Sequence, residues 1–93
     1  GQQAIVDYIA EHKLFPAVAS EHGISGVALI GFTVSFTGIP EDIYIVAEKP
    51  AGLGFGEAGV QVMKAMRFTP GILNHKIARI KMQQPVRFRA QSK

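Results

Sequence analysis

The chain has 93 residues, 47% of them apolar and 18% charged, which is one small globular domain and excludes a multidomain enzyme. A domain this size hides only ~60–65% of the surface its unfolded chain exposes, so most ordered segments must feed a single core and a deep substrate cavity is not expected. With no cysteine, disulfides and every cysteine-based zinc or redox site are excluded, and the redox compartment stays undecided. The net charge of +3 conceals a polarity: all seven acids lie in residues 1 to 57, which carry net −5, while residues 58 to 93 carry net +8. Such a basic third either recruits an anionic partner or is solvated surface.

Ile5, Tyr8 and Ile9 fall at i, i+3 and i+4, which predicts a short amphipathic helix over about residues 3–13. Phe15-Pro16 breaks it, and Pro16 can open another short turn that runs to His22 with Gly23 as its stop. Gly1 has no methionine, basic leader or signal-like block before it and reads as the start of an excised fragment. From Gly23 to Pro40 there is no formal charge, but four glycines and recurring Ser and Thr argue against a membrane span.

Gly26 to Phe36 alternates Ala28, Ile30, Phe32, Val34 and Phe36 onto one face, which predicts a strand. Thr37-Gly38 is the turn signal, and Ile43 to Ala47 should pair back as a hairpin, with Pro40 ahead of the ladder. After a Gly/Pro loop from Lys49 to Gly56, a stripe of Phe55, Ala58, Gly59, Val62, Ala65 and Met66 predicts a helix closed by Thr69-Pro70-Gly71. In the last third, Ala78, Ile80, Met82, Val86 and Phe88 share one parity, and Arg79, Lys81, Gln83, Arg87 and Arg89 the other. One face of that strand should be buried and the other wet.

No catalytic constellation is present in this pattern. His12, His22 and His75 form no helix-spaced metal pair and sit in no nucleophile motif, so they read as surface or packing residues, and no metal or cofactor is expected. Gly52 to Gly56 precedes a helix but lacks the Gly-Lys-Ser/Thr of a phosphate loop, and Glu41 and Asp42 are neighbours in a turn rather than a pair across a cleft. The expected fold is one α+β domain over residues 1–93, with its sheet and helix core over about 24–89: a small mixed or antiparallel three-stranded sheet, a helix packed on one face, and a short N-terminal helix. A right-handed crossover puts the last strand beside the first, in order 2-1-3, and makes it an edge. Such an edge is either a hazard blunted by charge and Pro85 or a docking rail for an incoming peptide.

Phe15-Pro16-Ala17 with Ala19, Gly23-Ile24-Ser25-Gly26-Val27, and Phe32 to Val34 resemble the opening of the TonB C-terminal domain family. Val46 to Pro50 resembles the end of its second strand, Phe55-Gly56-Glu57-Ala58 with Ala65 to Pro70 its helix and aromatic-x-Pro exit, and Pro85-Val86-Arg87-Phe88 its closing strand. The resemblance runs from about Ile5 to Arg89. It departs at Met66, near a position where the family often has tryptophan, and at Ile39-Pro40 after Gly38.

This resemblance implies a non-enzymatic periplasmic domain, anchored in the full-length protein to the inner membrane and reached through its upstream region by a proton-driven motor. It implies a partner, the TonB box and plug of a TonB-dependent outer-membrane transporter, which adds as a strand to the exposed edge and is pulled during active nutrient uptake. The contacts carried over by position are the backbone of Arg79, Ile80, Lys81, Met82, Gln83 and Gln84, with His12, Lys13 and Leu14 as a second contact. Arg79 and Lys81 would attract an acidic segment. Three other uses are weighed: service in another envelope or secretion machine or a regulator, a weak homodimer through the same edge, and a nucleic-acid module. Against the last, Phe32, Phe36 and Phe88 are expected to face the helix, leaving the opposite face of the last strand with charge and no rings to stack bases.

Overall fold

The computed structural model describes residues 2–90. The chain runs α1 (Gln2–Glu11), α2 (Ala17–Glu21), β1 (Gly26–Val34), β2 (Pro40–Lys49), α3 (Phe55–Ala65), β3 (Gly71–Leu73), β4 (Lys76–Ala78) and β5 (Ile80–Phe88). Strands β2, β1 and β5 form an antiparallel sheet in that order, so the last strand lies beside the first and ends the sheet, as the crossover rule requires.

The alternation in β1 does its expected work. Ala28, Ile30, Phe32 and Val34 are buried on the face that α3 covers, across from Val86, Gln84, Met82 and Ile80 of β5. Helix α3 contributes Phe55, Ala58, Val62 and Met63 to the same core. Gly59 lets it lie close to the sheet, because a Cβ there would stand 3.0 Å from Ile30 Cδ1 and 3.1 Å from Ala28 Cβ. Phe15 closes one end of the core: it meets Phe55 and Phe88 edge-on, with ring centroids 6.0 and 5.9 Å apart, a geometry that the ring quadrupoles favour.

Helix α1 is tethered by the buried Ile5. At its start, Ile5 shares a cavity with Ala65, Met66 and Gln84, whereas Ile9, Ala10 and Lys13 line another with Arg87, Phe88 and Arg89. The start of α1 thus lies near Gln84 and its last turn near Arg87 to Arg89, and the helix also meets α3.

Several sequence expectations need correction. The first strand stops at Val34, and Phe36 is 54% exposed in the turn rather than on the buried parity. That turn is built by Ser35, whose Oγ accepts from the backbone N–H of Thr37 and Ile39 at 3.3 and 3.1 Å. Pro40 is inside the ladder, opposite Val34, and β2 extends to Lys49 with register shifts between Leu29 and Ile30 and between Gly31 and Thr33. The expected last strand from Ala78 is divided: β4 pairs with β3 as a separate hairpin, and β5 begins after Arg79. Asn74 and His75 turn that hairpin with φ of 51° and 65°, the left-handed pair that a two-residue hairpin loop needs.

Candidate functional site

Strand β5 pairs with β1 without a break in register, from Ile80 opposite Val34 to Phe88 opposite Gly26. Among the described residues no strand covers its other side. Successive residues of an antiparallel strand aim their N–H and C=O groups at opposite edges, and Pro85 reveals which residues aim outward. It has no N–H to give, and its carbonyl accepts from Gln84 Nε2 at 3.0 Å. Proline is tolerated in a strand where its missing donor faces the free side. Lys81, Gln83 and Arg87, at even separations from Pro85, therefore present backbone donors and acceptors to the open edge, while Ile80, Met82 and Gln84 face β1.

This geometry divides the sequence-derived site. Lys81 and Gln83 have their backbone groups on the side of β5 away from β1. Met82, at 39% exposure, offers its side chain as an apolar shelf at the rim of the core, flanked by the half-buried Ile80 and Gln84. Arg79 lies outside β5 and is already engaged, its Nη1 2.6 Å from Glu41 Oε1. Its expected pull on an acidic segment is thus answered from within the chain, although an ion pair this exposed contributes only about 0–1 kcal/mol.

His12, Lys13 and Leu14 follow α1, and Lys13 lines a groove with Arg87 to Ala90 rather than with Lys81 to Gln83. At ~3.3 Å per residue the two regions are about 20 Å apart along β5, so a partner touching both needs an extended stretch of about seven residues. Of the three, Lys13 reaches the groove there, Leu14 packs toward the core, and His12 stacks on Tyr8 with centroids 4.0 Å apart. His22 Nδ1 lies 3.1 Å from the Val18 carbonyl and His75 is in the hairpin turn, so the three histidines are apart. Among the described residues no three His, Asp or Glu side chains converge as metal ligands.

Two features escaped the sequence reading. One is the groove of about 710 Å³ between α1 and the end of β5. The other is the β3–β4 hairpin, which carries Ile72, Leu73 and Ile77 at 73%, 61% and 57% exposure. Asn74 between two short apolar runs was the available signal for the hairpin, since asparagine adopts positive φ more readily than most residues.

The architecture is a small antiparallel sheet that ends on a proline-bearing edge strand, with a helix packed on one face. The profile of the Gram-negative bacterial TonB protein C-terminal family matches residues 11–90, and the chain belongs to that family. Its domains are, in general, periplasmic interaction modules of energy transducers that engage outer-membrane transporters. The fold is similar to the TonB2 protein of Vibrio anguillarum, with 26% identity over 84% of this chain and 74% of that one and a TM-score of 0.63. It is also similar to the solution structure of the Pseudomonas aeruginosa TonB C-terminal domain, with 25% identity over 85% of this chain and 79% of that one and a TM-score of 0.67. No curated protein matches the chain. No helix among the described residues is long and apolar enough to cross a membrane.

Proposed function

We propose that this domain binds the TonB box of an outer-membrane transporter by strand addition to β5 and passes on force from an inner-membrane, proton-driven motor reached through upstream sequence. The observation that carries the reading is that, among the described residues, no strand pairs with one side of β5, whose other side is paired throughout with β1. Family membership supplies the class of partner.

The magnitudes suit a reversible hook. Lys81 and Gln83 offer about four backbone hydrogen bonds, worth ~2–6 kcal/mol at ~0.5–1.5 kcal/mol each, against an association cost of ~4–15 kcal/mol. Backbone pairing alone does not hold the partner. Side-chain burial on Met82, charge attraction and the high local concentration of a tethered segment must supply the rest. Titration of the isotope-labelled domain with a TonB-box peptide tests this: amide shifts should cluster at Lys81 to Gln83, with micromolar or weaker affinity. Nanomolar binding, or shifts that avoid β5, would contradict it.

A further inference from the structure

The β3–β4 hairpin carries an apolar surface that the fold does not cover. Every residue from Ile72 to Ile77 is exposed, the aliphatic Ile72, Leu73 and Ile77 among them. Single exposed aliphatic side chains are ordinary, but a cluster on one short arm is not. Ile72 pairs with Ile77, and Leu73 with Lys76. Directly opposed residues share a face of the ladder and successive ones alternate, so the two isoleucines occupy one face of the arm and Leu73 the other. The base of the arm is fixed to the domain: a Cβ on Gly71 would overlap the Ile80 side chain, and Arg79, just after β4, donates to Glu41. Lys76 is the arm's only formal charge, and no acid follows Glu57 in the sequence.

We propose that the β3–β4 arm is a membrane-surface anchor, which lays its aliphatic side chains into the boundary between headgroups and acyl chains of an anionic phospholipid bilayer, with Lys76 at the phosphates. Apolar side chains on both faces call for a medium that surrounds the arm. A flat protein surface or an added strand that covers Ile72 and Ile77 leaves Leu73 in water, whereas lipid closes round both faces. At that shallow depth the turn at Asn74 and His75 keeps its polar groups hydrated among the headgroups while the aliphatic side chains leave water. Charge selects the lipid, because an acid-free arm with a free lysine is drawn to a negative membrane surface. A second copy of the arm would bring another Lys76 and no acid to the contact. The anchor goes beyond strand addition and does not depend on it, since the outward groups of Lys81 and Gln83 belong to β5 and not to the arm.

The sequence has no tryptophan, so the indole introduced by Leu73→Trp reports on the arm alone. The probes are vesicles of mixed phosphatidylglycerol and phosphatidylethanolamine, and vesicles of phosphatidylcholine. The anionic vesicles should pellet the native chain, shift the indole emission of the Leu73→Trp variant to the blue and let brominated lipid quench it. Phosphatidylcholine vesicles should bind about fivefold more weakly or less, and Lys76→Gln should weaken binding to the anionic vesicles about fivefold. Ile72→Ser/Ile77→Ser should weaken it about tenfold or more, with the amide spectrum of β1 and β5 unchanged. Pelleting without a blue shift, or undiminished by the double serine variant, would assign the binding to the basic third at large and overturn the anchor. Absence of binding, or equal binding to both kinds of vesicle, overturns it as well. A blue shift that grows with protein concentration in the absence of vesicles assigns the arm to a second copy, and one produced by a vesicle-free protein extract but not by vesicles assigns it to a protein cleft; either overturns the anchor.

Discussion

At the scale of single residues, two positions show how the tight connection and the edge are held. Gly38 has φ of +84°, and a methyl there would overlap the carbonyl oxygen of Phe68. The same residue's carbonyl accepts from the Phe68 N–H at 2.9 Å, joining the β1–β2 turn to the chain that leaves α3. Gly38→Ala therefore combines a left-handed backbone cost of ~1–2 kcal/mol with displacement of a backbone partner. Urea unfolding should show a loss of about 2–4 kcal/mol, large for a domain this small. A loss below about 1 kcal/mol would mean that the turn and Phe68 are not coupled. Pro85 is the second position, since its ring marks the side of β5 that the sheet leaves open. The sequence offers Pro85 as a sign of an edge strand, but which residues share its outward direction follows only from the unbroken pairing with β1.

At the scale of elements, β5 can be tested by moving proline along it. Gln83→Pro removes an outward N–H and spares the ladder, so stability should change by less than about 1 kcal/mol while peptide affinity falls about tenfold or more. Met82→Pro removes an N–H aimed at Phe32 of β1 and should cost about 3 kcal/mol. Thermal melts and peptide titration of the two variants read this directly, and the reverse order of effects would place the open rail on the even residues. Much of this strand is legible in the sequence, since the parity of Ile80, Val86 and Phe88 against Lys81, Gln83 and Arg87 is a local pattern. The break at Arg79 is not. Its guanidinium meets Glu41, 38 residues away in sequence, and a contact of that range leaves no periodic trace. The β3–β4 hairpin also escapes period-two reading, because strands of three residues are too short to alternate.

At the scale of the whole molecule, order should fall away from the sheet's centre. Strand β1 is hydrogen-bonded on both sides and carries four buried apolar side chains, Ala28, Ile30, Phe32 and Val34. The β3–β4 hairpin pairs only with itself and exposes Ile72, Leu73 and Ile77, and an isolated hairpin is marginally stable in water. Native-state hydrogen exchange should therefore find the slowest amides in β1 and fast exchange through β3 and β4. Protection of the hairpin equal to that of β1 would show that it belongs to the same cooperative unit.

The amino-acid order alone determined the three main strands, the helix behind them, the unequal distribution of charge and the family, because each is written in spacing and composition that a short window contains. The tertiary structure decided which cation is paired and what stands near the end of the edge strand. Arg79 is engaged by an acid from β2, whereas Lys13, Arg87 and Arg89 line one groove where the end of β5 comes near the chain after α1. Those facts depend on how segments far apart in the chain approach each other, and periodicity holds no information about that distance.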